Sequence, residues 1–181
     1  ELQIVDDNFG LYPRDVEIAT FLSETSEKIG HPKGVKFFNN KQINKISYQV
    51  LEAIGKINKI GLNISLQTDT PAALEAMGRK NITEEKIQEA NKWAQSKNID
   101  STTELIFGLP GESKDTFLSL LDRSVKRGFD NVLAHNLILL DGSELNRETE
   151  REKHNFKTKY RLPGPNYGDT VSYTHLRAHE T

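Results

Sequence analysis

The sequence predicts an α/β protein in which a parallel β-sheet is covered by outer helices. Short apolar runs typical of buried strands alternate along the 181 residues with segments whose apolar residues recur every three or four positions. Helix caps, glycines and prolines separate these segments. Strands that alternate with helices pair in parallel, and the predicted strands fit either a twisted open sheet or part of a barrel.

The first part of the chain reads as two strand–helix units. The first predicted strand covers residues 2–6, and a helix over 14–29 begins after Pro13 and ends at Gly30, because proline suits the first turn of a helix and glycine its end. A second strand covers 35–38. The apolar face of the first helix is Val16, Ala19, Leu22 and Ile29, and that of the second is Ile46, Val50, Leu51, Ile54 and Ile57.

A third strand, over 60–67, precedes two helices. Thr70 is the predicted N-cap of a short helix that runs to about Met77, and Thr83 is the predicted N-cap of the next. Ile82 and Ile87 flank that cap at the spacing of a hydrophobic staple. The apolar face continues through Ala90, Trp93 and Ala94.

Two more strands complete the pattern. The fourth covers 102–107, and the helix after it begins at the capping residue Ser113 and ends at Gly128. The inward face of this helix is predicted to be Phe117, Leu118, Leu121 and Val125. The fifth strand covers 131–140.

The two ends of the chain carry different signals from its middle. Residues 1–145 are predicted to form the strand–helix domain, and residues 146–170 a charged linker, solvated helix or C-terminal extension. Residues 171–181 match the translation of a transposon-based sequencing adapter, so we expect a non-native tail there. The chain starts inside a strand-like run without an initiator methionine, so we expect a fragment cut at its N terminus.

The composition excludes several classes of protein and of site. The net charge is −2 with no basic block, which argues against a nucleic-acid surface. The longest apolar stretches, such as 137–140, are far too short to span a bilayer, and there is no signal peptide, so we expect a cytoplasmic protein. The absence of cysteine excludes disulfides and any cysteine-ligated zinc or iron–sulfur site within these residues.

Polar residues collect where the predicted strands end. In the third strand Asn63, Ser65 and Gln67 alternate with apolar residues and therefore share one face. We expect the side chains of Asn63 and Ser65 to form hydrogen bonds with neighbouring backbone groups. Gln67, at the strand end, indicates a ligand site instead. The loops at the carboxyl ends of parallel strands form the site in open sheets and in barrels alike.

Three further features are predicted to lie at the same edge of the sheet, and each has two interpretations. Glu104 lies in the fourth strand and is either a buried ion-pair partner or a ligand-binding group. The turn Gly108–Gly111 either serves the fold or lets the backbone approach a flat ligand closely. Arg79 is either a solvated loop residue or a clamp for a carboxylate.

The remaining polar candidates are less specific. Asp6, Asp7 and Asn8 fit an Asx turn first, and otherwise a divalent-metal cluster or a substrate-binding turn. His135 alternates with apolar neighbours and fits a satisfied core histidine. The sequence has no nucleophilic-triad motif, phosphate-binding loop or dinucleotide-binding glycine fingerprint.

Together these pieces resemble the radical S-adenosylmethionine (SAM) enzymes, most of all the cobalamin-binding branch and its methylthiotransferase-like relatives. Gln67 precedes Arg79 by 12 residues and Glu104 by 37, spacings similar to those of the family. The resemblance covers about residues 1–145. It is carried by Val5–Gly10, Ile64–Thr68, Ala76–Arg79, Glu104–Glu112 and Leu140–Leu145.

The resemblance implies a partial (β/α)6 TIM-like barrel in which the five strands are the second to the sixth. It implies SAM as a cofactor, with its ribose hydrogen-bonded by Gln67 and Glu104 and its methionine carboxylate held by Arg79. The loop from Gly108 would pack near adenine.

Four other residues take implied roles in the same site. Asn40 stands near the position of a family glutamate that contacts SAM, and Ser65 is a further cofactor contact. Asp7 and Asn8 are the candidate substrate contacts. The catalytic residues remain unassigned, and no metal ligand is expected within this chain.

In the family a [4Fe–4S] cluster, bound by a Cys-x3-Cys-x2-Cys loop, cleaves SAM reductively to a 5′-deoxyadenosyl radical, and some members transfer methyl or methylthio groups. The resemblance therefore implies an electron donor, an unidentified substrate and, in the cobalamin-binding branch, cobalamin. That cysteine loop is absent here, so we expect this chain alone to be inactive. The alternatives are a cluster-free (β/α)-barrel lyase or aldolase, and a non-catalytic module that binds SAM or a nucleotide.

Overall fold

Parallel strand pairs connected by helices make up the computed structural model, which describes residues 1–40 and 43–159. The chain divides into two units, Glu1–Leu137 and a second that begins at Ile138. The strands of the first unit are Leu2–Gln3 (β1), Val35–Lys36 (β2), Gly61–Asn63 (β3), Asp100–Phe107 (β4) and Asn131–Asn136 (β5). Its helices are Pro13–Ile29 (α1), Lys45–Ile54 (α2), Pro71–Ala76 (α3), Glu84–Ser96 (α4) and Lys114–Lys126 (α5).

The described strands form two parallel sheets. β1 pairs with β2 from Leu2 opposite Val35, and β3, β4 and β5 form the other sheet in that order. The longest ladder joins β4 to β5. The parallel α/β prediction is confirmed, but the sheet is interrupted between β2 and β3.

Asparagine side chains replace the backbone ladder at this interruption. The Asn39 amide nitrogen donates to the carbonyl of Asn63 at 2.9 Å, and the Asn39 amide oxygen accepts from the backbone N–H of Asn63 at 3.3 Å. Near the other end of β2, the backbone N–H of Val35 donates to the side-chain oxygen of Asn58 at 2.8 Å. We call the pair Asn39–Asn63 the sheet joint.

Several strands end sooner than predicted, because the chain turns at their carboxyl ends. After β1 the Asp6 carboxylate accepts a hydrogen bond from the backbone N–H of Asn8. After β3 the chain stays hydrogen-bonded to β4, since the Ile64 N–H donates to the Thr102 carbonyl. It then turns sharply at Gln67. The predicted fifth strand over 131–140 ends at Asn136.

The helix boundaries were predicted more closely than the strand boundaries. Gly30 ends α1 in the left-handed conformation, and the Ser113 side chain caps α5, both as predicted. Thr83 caps α4 through the backbone N–H of Lys86. Thr70 is the N-cap residue of α3, as predicted, but its side chain makes no capping hydrogen bond, because its hydroxyl donates instead to Glu112.

Some apolar residues predicted to face inward are exposed. Ile29, Leu118 and Val125 are 63%, 50% and 66% exposed, so the prediction is wrong for these three. On α5 the buried stripe runs instead through Phe117 and Leu120, whose spacing turns Leu118 and Val125 away from the sheet.

The hydrophobic core has two clusters, one for each sheet. The cluster at β1 and β2 contains Phe9, Ala19, Val35, Val50, Ala53 and Ile54. The cluster at β3 to β5 includes Leu51, Leu62, Ile64, Leu66, Leu105 and Leu120. Phe37 and Ile60 pack against both clusters, so apolar packing continues across the sheet joint.

Alternate residues of the third strand region face opposite sides, as predicted. Leu62, Ile64 and Leu66 are buried in the core, whereas Asn63 and Ser65 are half-buried on the other face. The polar face of this region therefore lies away from the helix-covered core.

An ion-pair network ties the loop after Gln67 to the helices. The Asp69 carboxylate accepts hydrogen bonds from Arg123 and pairs with Arg127 at 2.9 Å, and Arg127 also pairs with Glu84 at 2.9 Å. Burial alone would raise the pKa of Asp69, but the hydrogen bonds and charges of Arg123 and Arg127 outweigh it and leave the pKa below its ordinary value of 3.8.

The second unit is short within the described residues. It contains a 3-10 turn at Glu144–Asn146 and a helix at Glu148–Lys153 (α6), where the exposed Lys153 pairs with the half-buried Glu150. The tail predicted to be non-native, 171–181, lies outside the described residues. None of the described helices has the length and apolar character needed to cross a membrane.

The sheet joint predicts a loss of stability on substitution. Asn39→Ala removes both hydrogen bonds to Asn63 and is expected to lower the free energy of unfolding by about 1–3 kcal/mol. Urea unfolding followed by circular dichroism measures this. The control, Asn131→Ala, changes an exposed asparagine at the start of β5 and should stay within about 0.5 kcal/mol. Equal losses in the two variants would contradict the joint.

The Asp69 network predicts a pH-dependent contribution to stability. A carboxyl whose pKa is lowered by folding stabilises the fold above its unfolded pKa and loses that contribution as the pH falls through its folded pKa. At pH 7 we expect Asp69→Asn to cost about 2 kcal/mol, less than for a fully buried pair, because the Arg123 side chain is 43% exposed.

The difference between wild type and Asp69→Asn should shrink as the pH falls below 3.8. Thermal unfolding across a pH series measures it. Asp122→Asn is the matched control, since its pair with Lys126 on α5 is exposed, and it should change stability by under about 0.5 kcal/mol. A pH-independent gap between wild type and Asp69→Asn would count against the network.

Candidate functional site

The carboxyl ends of β3 and β4 bring together four of the residues selected from the sequence. Arg79 follows α3 through Gly78, whose positive φ of 59° turns the chain back toward the strand ends. The Arg79 guanidinium donates one hydrogen bond to the side-chain oxygen of Gln67 and another to the carbonyl of Ser65 at 2.9 Å. The alternative of a solvated Arg79 is therefore wrong.

Glu104 joins this group through Ser65. The Ser65 hydroxyl lies 3.1 Å from the Glu104 carboxylate and 3.2 Å from the Asn63 side-chain oxygen. Its single proton serves one of these two acceptors at a time. The alternative of a buried ion pair for Glu104 does not apply, since the contact that the structure shows is to a neutral hydroxyl.

The site keeps opposite charges apart with neutral groups between them. Arg79 is engaged by Gln67 and a carbonyl, and Glu104 by the Ser65 hydroxyl. Burial lowers the pKa of Arg79 from its ordinary value, yet a guanidinium keeps its charge in proteins. The arrangement suits a ligand with a carboxylate for the arginine and hydroxyl donors for the glutamate.

Gln67 itself has a strained backbone. Its φ is 62°, in the left-handed region, and the N–H of Thr68 donates to the carbonyl of Leu66 at 2.8 Å across it. A left-handed conformation costs a residue with a side chain about 1–2 kcal/mol. Strain of this kind persists only where the surroundings hold it, and it collects at functional sites.

The two glycines of the loop after β4 have different requirements. Gly111 has a φ of 79°, and a side-chain carbon there would lie 2.9 Å from the Ala72 backbone, so close packing on α3 requires glycine. Gly108 has a φ of 93° and is exposed, and the nearest atom to an added carbon would be in Leu137 at 3.8 Å. Gly111 therefore serves the fold, while the backbone at Gly108 is open to a ligand.

The loop after β1 forms the Asx turn that the sequence favoured. Asp6 accepts from the N–H of Asn8 at 2.9 Å, and Asp7 and Asn8 are exposed. Asn40 is only 2% exposed, and its backbone N–H donates to the carbonyl of Phe9 at 3.0 Å. Within residues 1–40 and 43–159, no group of three or more metal-ligating side chains is assembled.

His135 differs from its prediction. It is exposed, like most residues of β5, so the prediction of a core histidine is wrong. It lies opposite Ile106 in the β4–β5 register.

Sequence reasoning missed three residues behind the site. Thr68 is fully buried, and its hydroxyl donates to the Glu112 carboxylate at 2.6 Å, while the Asn81 amide donates to the Thr68 carbonyl at 2.6 Å. Glu112 and Thr68 are 44 positions apart, so local spacing carries no signal of their contact. Thr68 and Glu112 end two of the segments that carry the family resemblance, but the sequence indicated no role for either residue.

Relatives of known sequence match most of this chain. A cobalamin-dependent radical SAM methyltransferase, TokK of Streptomyces tokunonensis, is 29% identical over 160 residues, which are 87% of this chain and 24% of TokK. A tRNA-2-methylthio-N(6)-dimethylallyladenosine synthase of Finegoldia magna is 28% identical over 137 residues, covering 73% of this chain and 30% of that protein. The chain thus spans about a quarter of the length of these relatives.

Solved structures share the fold at low identity. The radical SAM methyltransferase TsrM from Kitasatospora setae, solved with cobalamin and a [4Fe–4S] cluster, superposes with a TM-score of 0.60 and 14% identity over 76% of this chain and 26% of TsrM. Coproporphyrinogen III oxidase from Escherichia coli gives a TM-score of 0.55 and 17% identity over 71% of this chain and 30% of that chain. These likenesses confirm the predicted partial barrel-like α/β fold.

The sequence pattern of the Radical SAM superfamily matches residues 3–124, well over half of the chain. The match includes Gln67, Arg79 and Glu104, so the site described above lies inside the matched region. The chain belongs to the radical SAM superfamily.

Proposed function

We propose that these residues form the SAM-holding part of a radical SAM enzyme from the cobalamin-binding and methylthiotransferase-like branch. The observation that carries the proposal is the convergence of Arg79, Gln67, Ser65 and Glu104 at the carboxyl ends of two parallel strands. SAM offers what this set can bind, since it carries a carboxylate, ribose hydroxyls and a flat adenine.

The proposed contacts follow from the chemistry of each group. Arg79 binds the methionine carboxylate, because a guanidinium presents paired donors to a carboxylate. The Glu104 carboxylate accepts hydrogen bonds from the ribose hydroxyls, and the Gln67 amide donates a hydrogen bond to them. The backbone at Gly108 is open, which supports its place near adenine.

Asn40, Asp7 and Asn8 have weaker support. Asn40 is kept as a further SAM contact only on family resemblance, since its side chain is buried. Asp7 and Asn8 are exposed at the end of β1 and are the proposed substrate contacts. The substrate is unidentified.

When bound, SAM supplies either a 5′-deoxyadenosyl radical, formed with methionine by reductive cleavage, or a methyl group that is transferred from its sulfonium. This chain has no cysteine, so its residues do not fit a cysteine-ligated [4Fe–4S] cluster, and we assign the cluster ligands to residues outside it. The proposal for the enzyme includes an electron donor, a cytoplasmic location and cobalamin, the last on the likeness to TokK. Membership of the superfamily counts against a cluster-free lyase or aldolase.

The proposed SAM contacts predict selective losses of binding. Arg79→Ala and Glu104→Ala should each raise the dissociation constant of SAM at least about tenfold, because each removes a charged hydrogen-bonding group. Equilibrium dialysis with labelled SAM measures this. Lys92→Ala and Glu89→Ala remove the same charges from exposed positions of α4 and should leave binding unchanged. Unchanged binding in Arg79→Ala and Glu104→Ala would refute the assigned roles.

The missing cysteines predict the behaviour of the isolated chain. After anaerobic treatment with iron, sulfide and a reductant, the 181-residue chain should form no 5′-deoxyadenosine from SAM. Liquid chromatography with mass spectrometry measures that product. A complete radical SAM enzyme treated in parallel is the positive control, and 5′-deoxyadenosine from this chain alone would overturn the expectation.

A further inference from the structure

A polar cluster built around the buried residues Thr68 and Thr70 lies next to the strained residue Gln67. We call it the Thr68 cluster: Thr68, Thr70, Asn81 and Glu112. Thr68 is 0% exposed, its hydroxyl donates to Glu112 at 2.6 Å, and the same hydroxyl oxygen accepts from the backbone N–H of Thr70 at 3.0 Å. The Thr70 hydroxyl also donates to Glu112 at 3.0 Å.

The Thr68 cluster connects the three chain segments that carry the site. Thr68 follows Gln67 at the end of the third strand region. Glu112 follows the Gly108–Gly111 loop, and Asn81 lies two residues after Arg79 and donates to the Thr68 carbonyl at 2.6 Å. Thr68 therefore follows Gln67 in the chain and is bonded to residues close in sequence to Arg79 and to the Gly108–Gly111 loop.

The bonds of the Thr68 cluster account for the left-handed backbone of Gln67. The N–H and carbonyl of Gln67 are bonded to β4, through the Glu104 carbonyl and the Ile106 N–H, each at 2.8 Å. Thr68 is held on its side chain by Glu112 and on its carbonyl by Asn81. Because the backbone groups of Gln67 are bonded to β4 and the next residue, Thr68, is also held, the chain must turn at Gln67.

The position of Glu112 in the Thr68 cluster is energetically unfavourable for one of its two carboxylate oxygens. Its Oε1 accepts from both threonine hydroxyls, while its buried Oε2 has no hydrogen-bond partner among the described residues. A carboxylate with a buried unbonded oxygen is expensive, so its retention fits a role in fixing Thr68 and Thr70.

We propose that Thr68 and Glu112 are positioning residues, which hold Gln67 in its left-handed conformation and so aim Gln67 and Arg79 at SAM without touching it. This inference rests on the proposed function. It goes beyond it because neither residue belongs to the set assigned to contact SAM.

The test compares two buried threonines of the same chain. Thr68→Val removes the hydroxyl of the Thr68 cluster. Thr103→Val is the matched control, since Thr103 is also 0% exposed and donates one hydrogen bond at 2.7 Å, to the Ile64 carbonyl. Thr68→Ser restores the hydroxyl, and Glu112→Gln keeps an oxygen acceptor for both threonines while Glu112→Leu does not.

Two readouts are taken on each variant, with thermal unfolding as a check on folding. Thr68→Val and Glu112→Leu should raise the dissociation constant of SAM about tenfold, while Thr68→Ser, Glu112→Gln and Thr103→Val stay within about threefold of wild type. Amide hydrogen exchange at Gln67 and Ile106 should quicken about tenfold in Thr68→Val and not in Thr103→Val.

The two readouts separate this inference from the proposed function. If wild type does not bind SAM, the proposed function fails, and the exchange rates at Gln67 still decide whether Thr68 positions it. If Thr68→Val and Thr103→Val give equal SAM binding and equal exchange at Gln67, the positioning role is overturned.

Discussion

Two backbone hydrogen bonds fix the end of the third strand region against β4: Gln67 N–H to the Glu104 carbonyl and Ile106 N–H to the Gln67 carbonyl. They set the distance between the two strands that carry the polar site. The Ser65–Glu104 contact requires that spacing, and the Arg79–Gln67 contact requires Gln67 to stay where they hold it. The side-chain contacts of the site therefore depend on the backbone hydrogen bonds between these two strands.

The rest of the first unit supplies support for that ladder. Apolar packing covers one face, and polar groups of the other face bond one another. The Asp69 network anchors the same segment to α4 and α5, so the chain after Gln67 is held from several directions. A strained residue needs this degree of support.

The order of the elements follows from sequence because apolar spacing reports which face of a helix or strand is covered. The same spacing also correctly placed Ser65 and Gln67 on the polar face. It could not predict the sheet joint, since whether Asn39 replaces a ladder depends on two distant strands failing to pair.

Contacts that depend on distant partners were also beyond the reach of sequence. Local rules correctly predicted Thr70 as the N-cap residue of α3, but not that its hydroxyl would bond to a carboxylate 42 residues away. Helical spacing placed Leu118 inward, although the buried stripe of α5 is narrower than the run of apolar residues. The hydrogen-bond partners of Arg79 could be identified only from the folded structure. Its distance from Gln67 along the sequence, in contrast, already matched a spacing of the family.

The Ser65 hydroxyl has a consequence for how the site can respond to a ligand. It stands between the oxygens of Asn63 and Glu104, at 3.2 and 3.1 Å, with one proton to give. Rotation of that proton toward Asn63 frees the Glu104 oxygen for an incoming hydroxyl donor, and no heavy atom has to move. In the proposed SAM site, Glu104 can therefore exchange Ser65 for a new hydrogen-bond donor by rotation about a single torsion of the serine.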